Sequence, residues 1–252
     1  MGFGKKNNFL VKLMCKKHDT LIIIPALNEA GRIEKVISLA KEKTSQADIL
    51  IIDDGSTDNT VEIVEGLNVK VISLPFNVGV GAALQTGYKY AAKLGYDYLV
   101  QLDADGQHKP EYLPEFINIL KQNDTDLLIG SRFIDKKRKN TPISRRIGIL
   151  IFAKITSRLI KHPLTDPTSG YRGFSKRAIE FCATENFSFD YPDANFLLTL
   201  HRAGFIVREI PVEMESRSGG VSQHNGFKPI VYMIKMFLSI FVILLRKPPR
   251  IK

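Results

Sequence analysis

The sequence predicts an α/β fold in which helices flank a mostly parallel β-sheet. Between residues 20 and 130, short apolar runs alternate with stretches of helical apolar spacing, which is the pattern of successive βαβ units. Parallel neighbours in such units are joined by right-handed crossovers. With 252 residues, of which 44% are hydrophobic, the chain is sufficient for one large domain with appendages.

The predicted elements follow in order along the chain. The predicted strands are 20–25, 47–53, 69–74, 96–102 and 126–130. The helices predicted between them are 30–44, 57–66, 79–94 and 111–122. Ser56 or Thr57 is expected to cap the second of these helices, because hydroxyl oxygens accept backbone N–H groups at helix starts. Beyond residue 140 the pattern loosens, and helices are expected near 144–161 and 192–204.

Two aspartates directly follow the fourth predicted strand. Asp103 and Asp105 are one residue apart, so an extended backbone would place both carboxylates on one face. Their repulsion is relieved by a divalent cation, and hard oxygen ligands suit Mg²⁺ or Mn²⁺, with substrate phosphates completing the coordination. Asp-Ala-Asp-Gly is also good turn chemistry, so this stretch alone leaves a metal site and a polar turn open.

Two further strands end in polar residues. The first run leads into Pro25-Ala-Leu-Asn-Glu29, and the second leads into Asp53-Asp-Gly-Ser-Thr-Asp58. In open α/β sheets, ligands bind in the crevice at the carboxyl ends of the strands. Three such ends therefore predict a ligand site. Gly79 and Gly81 follow the third strand at a spacing that does not fit the dinucleotide fingerprint, and we expect them to allow close packing at a helix start.

The positive charge is concentrated in three segments. Residues 1–20, 136–146 and 246–252 hold fifteen of the 36 basic residues and one of the 26 acidic residues. Such patches suggest a partner with a negative surface, with charge that only keeps the protein in solution as the alternative, which is favoured for the N-terminal stretch. A nucleic-acid-binding module is one class to weigh, but the candidate site is acidic and no aromatic residues interleave the basic runs, so no nucleic-acid partner is expected. Cys15 and Cys182 form neither a disulfide framework nor a zinc motif.

The ordered polar motifs resemble those of family 2 glycosyltransferases with the GT-A fold. The resemblance covers roughly residues 20–225 and rests on Pro25-Ala-Leu-Asn-Glu29, Asp53-Asp-Gly-Ser56, Asn77-Val-Gly-Val-Gly81, Asp103-Ala-Asp-Gly-Gln-His108 and Gly130-Ser-Arg132. Asp166-Pro-Thr-Ser-Gly-Tyr-Arg172 and Arg217-Ser-Gly-Gly-Val-Ser222 make it most similar to polyprenyl- and dolichyl-phosphate sugar synthases and bacterial surface-polysaccharide glycosyltransferases. Gln223 stands where that subfamily has a cation.

The resemblance implies metal-dependent, inverting transfer of a sugar from a nucleotide-diphosphate sugar to a lipid-linked acceptor in cell-envelope glycan synthesis. The acceptor would be a polyprenyl phosphate or a lipid-linked saccharide. The residues implied to bind the nucleotide sugar are Pro25, Leu27, Glu29, Asp54, Asp103, Ala104, Asp105, Arg132 and Arg217. Those implied to hold Mg²⁺ or Mn²⁺ are Asp103, Asp105 and Gln107, and those implied to contact the acceptor or a phosphate are Arg146, Arg172 and Ser222.

Asp193 and Asp105 are the catalytic candidates. By the same resemblance, Asp193 stands where the family has an acidic residue at a helix start, and it would act as a general base toward a hydroxyl acceptor. It fits equally well as a helix cap. A nucleotidyltransferase is the rival enzyme class, because it also uses paired carboxylates. It usually has a loop rich in Gly and in Lys or Arg after its first strand, and Pro25-Ala-Leu-Asn-Glu29 is not such a loop.

The C-terminal segment is apolar and ends in basic residues. Residues 229–245 form a 17-residue stretch with Lys235 inside it, whereas a membrane span needs about 20 apolar residues. We expect segment 226–252 to lie in the surface of the cell membrane at its cytoplasmic face, with its cations on anionic lipids. Packing in the core or in a dimer interface is the alternative, so a homo-oligomer or a small membrane-protein partner stays open. Residues 1–19 are expected to form a basic extension.

Overall fold

The computed structural model describes residues 16–134, 143–185, 187, 193–215 and 228–249, with the backbone alone for residues 143–147 and 228–232. The seven strands among them are β1 Thr20–Ala26, β2 Ala47–Asp53, β3 Lys70–Ser73, β4 Tyr98–Gln101, β5 Leu127–Ser131, β6 Arg172–Ser175 and β7 Val207–Pro211. The helices are α1 Ile33–Lys43, α2 Thr60–Gly66, α3 Val80–Leu94, α4 Leu113–Lys121, α5 Ile143–Ile160, α6 Lys176–Cys182, α7 Ala194–Arg202 and α8 Lys228–Leu245.

The strands form one sheet in the order β3-β2-β1-β4-β6-β5-β7. All neighbours are parallel except β6, which runs antiparallel to both β4 and β5. The predicted mostly parallel α/β sheet is therefore confirmed. The antiparallel β6 brings its first residue, Arg172, beside Gln101 at the end of β4 and Ile129 in β5. A residue that begins a strand thus lies at the carboxyl edge of the parallel strands, where ligands are expected.

Helices cover both faces of the sheet because the buried strands are apolar on both sides. Leu21 and Ile23 point into a core that includes side chains of α3, α5, α6, α7 and α8. The alternate residues Ile22 and Ile24 point into the opposite core, with α1, α2 and α4. This alternation is the period of two that a strand imposes on its side chains.

The expected cap at Ser56 or Thr57 is wrong. Helix α2 begins at Thr60, and the preceding residues form turns in which Asp58 Oδ1 accepts the Thr60 backbone N–H at 3.0 Å. The Ser56 hydroxyl instead accepts the Asn28 N–H at 2.9 Å. A hydroxyl that could have capped a helix therefore ties the loop after β2 to the loop after β1.

One face of helix α8 packs against the rest of the domain. Met236 and Ile240 are buried in the same core as α3 and α7, and the Asn195 side-chain amide of α7 donates to Ser239 Oγ at 3.0 Å. Within the ranges described above, no helix has the length and apolarity required to cross a bilayer. The expected association of this helix with the membrane surface stays a prediction.

Candidate active site

The loops after β1 and β2 hold each other through reciprocal hydrogen bonds. Asn28, at φ 55°, accepts the Thr57 N–H on its side-chain oxygen at 2.8 Å, and its own N–H donates to Ser56. Glu29 is buried, its N–H donates to Thr60 Oγ1 at 2.9 Å, and its carboxylate pairs with Arg32 at 2.6 Å. Pro25, near the end of β1, and Leu27, in the loop after it, are both partly buried. The structure therefore brings these residues together but commits the Glu29 carboxylate to Arg32.

Asp54 fixes the turn before α3. Its two carboxylate oxygens accept the backbone N–H groups of Val78 and Gly79, each at 2.9 Å. Gly79 has φ 97°, a conformation that favours glycine. At Gly55 a Cβ would lie 2.7 Å from the Phe76 carbonyl carbon, so the two loops touch backbone to backbone. Asp54 therefore has a structural function in addition to any contact with a nucleoside.

The acidic loop follows β4 as a turn. Strand β4 ends at Gln101, so Asp103 and Asp105 lie in a turn, and the extended backbone expected to place them on one face is not present. They still lie close enough for the Asp105 charge to raise the pKa of Asp103, alongside the larger effect of desolvation. Ala104, which lies between the two aspartates, is buried in the core and so holds the turn against it.

Gln107 folds back on Asp105. The Asp105 carboxylate accepts two hydrogen bonds from Gln107. One comes from the Gln107 backbone N–H at 3.0 Å, and the other comes from the Gln107 side-chain Nε2 at 2.5 Å. The amide nitrogen, and not the oxygen, therefore faces the carboxylate. Gln107 can present an oxygen to a cation there only after its amide turns over.

The carboxylates fit a hard divalent cation as a partial site. No group of three or more His, Cys, Asp or Glu side chains is arranged to hold a metal ion in the part of the chain that the structure describes. The Asp103 side chain is 39% exposed, so it remains accessible at the edge of the sheet. Two carboxylates suit Mg²⁺ or Mn²⁺, which usually complete their shell with water and substrate phosphates.

Arg132 is bound by a buried carboxylate. Its Nε and Nη2 lie 2.5 and 2.8 Å from the two oxygens of Asp166, and its backbone N–H donates to the same group at 3.1 Å. Asp166 is fully buried and Arg132 is nearly so. Although desolvation opposes the guanidinium charge, Asp166 outweighs it and the pKa of Arg132 is raised. The arginine expected to grip phosphates is thus held rigidly, with Nη1 bonded to none of the described residues.

Arg172 lies on the other side of the acidic loop. It is 2% exposed, donates to the carbonyls of Ser169 and Pro167 at 2.8 and 3.2 Å, and lies 3.9 Å from Asp193. Both Arg172 and Arg132 act electrostatically on Asp103. Asp193 occupies the N-cap position of α7, but its side chain makes no cap hydrogen bond. The structure therefore brings Asp103, Arg132, Arg172 and Asp193 to one edge of the sheet.

Three predicted site residues have side chains outside the described part of the chain. Arg217 and Ser222 lie outside the described residues, and so does the side chain of Arg146 on the first turn of α5. Gln223 lies outside them as well.

Four residues of this region had no expected function. Glu209 accepts the backbone N–H groups of Thr165 and Asp166, each at 2.8 Å, and so fixes the loop that carries Asp166. His108 and Gly170 both flank the Asp103 carboxylate. His108, Asp166 and Gly170 belong to the motifs that carry the family resemblance, and this membership could have identified them from the sequence. Glu209 belongs to none of these motifs, so no feature of the sequence indicated its function.

Comparison with known proteins shows similarity to glycosyltransferases. The sequence model of Glycosyl transferase family 2 matches residues 21–182. A UDP-N-acetylglucosamine–dolichyl-phosphate N-acetylglucosaminyltransferase from Methanococcus voltae is 32% identical over 238 residues, covering 85% of this chain and 94% of the relative. An undecaprenyl-phosphate mannosyltransferase from Micrococcus luteus is 30% identical over 215 residues, covering 82% of this chain and 87% of the relative.

A solved structure shares the fold. Glucosyl-3-phosphoglycerate synthase from Mycobacterium tuberculosis, crystallised with Mn²⁺ and UDP-glucose, aligns with a TM-score of 0.68 over 94% of this chain and 82% of that chain, at 18% identity. The expected GT-A architecture is confirmed by this alignment. Because the family model spans more than half of the chain and relatives at 30% identity cover most of it, the chain belongs to glycosyl transferase family 2.

Proposed function

We propose that this glycosyltransferase moves a sugar from a nucleoside-diphosphate donor to a polyprenyl phosphate at the cytoplasmic face of the cell membrane. Family membership removes the nucleotidyltransferase and nucleic-acid-binding alternatives. The observation that carries the proposal is the meeting of two acidic side chains and two buried arginines at the carboxyl edge of the sheet, since a pyrophosphate donor needs both. Relatives named for dolichyl-phosphate and undecaprenyl-phosphate acceptors support the choice of acceptor.

Asp103 and Asp105 are the residues that would hold Mg²⁺ or Mn²⁺. The bound cation would neutralise charge on the donor diphosphate and on the departing nucleoside diphosphate. Gln107 supplies a third oxygen once its amide turns away from Asp105. Desolvation is the largest effect on Asp103 and its pKa is raised, but Arg172 and Arg132 lie close enough to lower that pKa in part.

Arg132 is suited to contact a donor phosphate through Nη1. Asp166 accepts hydrogen bonds from the Nε and Nη2 edge of the guanidinium, so the side chain is held in one orientation. It therefore loses little conformational entropy when a phosphate binds. Pro25 near the end of β1, Leu27 in the loop after it and Asp54 directly after β2 are the residues assigned to the nucleoside. Arg217 is the further phosphate ligand in this proposal.

The transfer itself is a substitution at the anomeric carbon. An acceptor phosphate oxygen forms the new bond on one face of the sugar while the bond to the donor diphosphate breaks on the other, which inverts the configuration. A phosphate monoester is anionic near pH 7, so this acceptor needs no proton removed. A lipid-linked saccharide would present a hydroxyl, and Asp193 would then take its proton. The Asp193→Asn variant therefore separates the two acceptors: activity persists with a phosphate and is lost with a hydroxyl.

The outer surface of α8 supports membrane attachment. While Met236 and Ile240 pack inward, the opposite side exposes large apolar residues, namely Ile234, Phe237, Leu238, Phe241, Leu244 and Leu245. Leu150 and Ile151 are also exposed on α5, whose Phe152 ring lies 5.3 Å from the Phe237 ring of α8, and the exposed Arg246 and Lys247 follow α8. An apolar face next to exposed cations suits a helix that lies in the headgroup region of an anionic membrane. A second copy of the chain covering this face is the alternative.

A donor screen tests the proposed function. The full chain would be incubated with a panel of UDP-, GDP- and dTDP-sugars, Mn²⁺ and a polyprenyl phosphate in detergent, and lipid-extractable sugar would be measured. One donor is expected to yield labelled lipid, and the yield should vanish with a chelator or with Asp105→Asn. Transfer to a polyprenyl-linked saccharide but not to polyprenyl phosphate would overturn the acceptor, and turnover unaffected by the chelator would overturn the metal.

A further inference from the structure

His108 directs both of its ring nitrogens at Asp103. Its Nδ1 accepts the Asp103 backbone N–H at 3.0 Å, and its Nε2 lies 3.5 Å from Asp103 Oδ2. A neutral imidazole has one donor and one acceptor nitrogen, so a ring that accepts at Nδ1 carries its proton on Nε2. The proton-bearing nitrogen is therefore the one that faces the carboxylate.

The histidine ring is held in a stack of aromatic side chains. It is 3% exposed and lies against the Tyr171 ring at a centroid distance of 5.0 Å and an interplanar angle of 23°. Tyr171 in turn stacks on Phe116 at 4.4 Å, and its hydroxyl donates to the Lys109 carbonyl at 3.1 Å. The ring therefore has little freedom to turn away from Asp103.

The backbone at Gly170 borders the other side of the carboxylate. A Cβ built at Gly170 would lie 3.0 Å from Asp103 Oδ2 and 3.4 Å from His108 Cε1. Because glycine has no side chain, the carboxylate fits between the imidazole and this backbone. Asp103 is thus confined from two sides while 39% of its side chain stays exposed toward the edge of the sheet.

We propose that His108 is a positioning residue that orients the Asp103 carboxylate for its cation through Nε2–H. The proposal rests on the proposed function, because it assumes that Asp103 is a metal ligand. At 3.5 Å the contact of Nε2–H with Oδ2 is electrostatic, and a fixed N–H dipole directed at one carboxylate oxygen favours one rotation of the group. Outer partners of this kind typically change metal affinity by about 10- to 100-fold when they are removed.

Three substitutions distinguish the contributions of the two ring nitrogens from that of ring packing. His108→Phe keeps a flat ring against Tyr171 and removes both nitrogens. His108→Asn offers an acceptor near the position of Nδ1 but no donor near that of Nε2. His108→Gln places an amide N–H near the position of Nε2. The measurement is Mn²⁺ affinity of the full chain by EPR titration of the free-ion signal, with thermal unfolding in the absence of metal as the check on folding.

The expected order separates positioning from packing. Mn²⁺ binding should weaken by about 10- to 100-fold in His108→Phe and in His108→Asn and recover most of its strength in His108→Gln. Native Mn²⁺ affinity in a folded His108→Asn would overturn the proposal, and so would equal losses in all three variants. If the native chain itself bound no Mn²⁺, the proposed metal site would fail together with the function of His108. Native binding that is indifferent to the three variants would refute His108 alone.

Discussion

Removing the Asp166 charge should destabilise the protein strongly. Asp166 is 0% exposed, and it accepts hydrogen bonds from the backbone N–H, Nε and Nη2 of Arg132. Asp166→Asn keeps the size of the side chain but removes the carboxylate charge that is hydrogen-bonded to the buried guanidinium. Arg132 is itself 7% exposed, so solvent cannot replace the lost partner.

The magnitude follows from this burial. Breaking a buried ion pair by removing one partner costs about 3–5 kcal/mol, because the remaining charge keeps its desolvation penalty. The matched control is Asp124→Asn, which removes a carboxylate 2.6 Å from Arg208 in a pair whose side chains are 53% and 42% exposed. Such an exposed pair contributes about 0–1 kcal/mol. The two variants make the same chemical change, one at a buried ion pair and one at an exposed ion pair.

Urea denaturation at pH 7 measures both free energies of unfolding. We expect a loss of about 3 kcal/mol or more for Asp166→Asn and at most about 1 kcal/mol for Asp124→Asn. The double variant Arg132→Met with Asp166→Leu should lose less than Asp166→Asn alone, because no unpaired charge remains. Equal losses in the two single variants would refute the assignment of the cost to the buried charge.

Three further predictions concern the site, the membrane face and pH. Gly170→Ala should weaken Mn²⁺ binding about tenfold or more, because its Cβ would meet Asp103 Oδ2 at 3.0 Å, whereas Gly31→Ala, whose Cβ meets nothing within 4 Å, should not. Leu238→Glu combined with Phe241→Glu should reduce cosedimentation with anionic vesicles about tenfold or more, because two exposed apolar side chains are lost. Burial raises the pKa of Glu209 above its ordinary value of 4.5. The difference in unfolding free energy between the native chain and Glu209→Gln should therefore fall as pH rises from this ordinary pKa to the raised one, and then level off.

Each of these has a result that contradicts it. Equal Mn²⁺ affinity in the two alanine variants would mean that the Asp103 carboxylate can shift freely. Ser45→Glu with Gln46→Glu, a pair of exposed turn residues, adds the same charge away from α8. Equal loss of vesicle binding in this control would attribute the effect to net charge. A native-minus-variant difference in unfolding free energy that rises with pH would mean that the ionised Glu209 is favoured by its hydrogen bonds.

Local pattern was sufficient for the first five strands and the helices between them. Apolar runs such as Thr20–Ala26 and Ala47–Asp53 are buried on both faces of the sheet, so their composition alone identifies them. Strands β6 and β7 had no such signal. Arg-Gly-Phe-Ser at 172–175 has no apolar run and becomes a strand because β4 and β5 offer it hydrogen bonds on both sides.

The sequence by itself predicted the location of the candidate site, since polar motifs follow strand ends whose direction is set by the βαβ pattern. Only the tertiary structure decided what those side chains contact. Arg132 pairs with Asp166, which is 34 residues away, and Gln107 turns its amide to Asp105. Asp193 stands at a helix start but lies beside Arg172 without capping the helix. Periodicity reports which face of an element is buried, whereas the partner of a charged group depends on which distant loops the folded sheet brings to one edge.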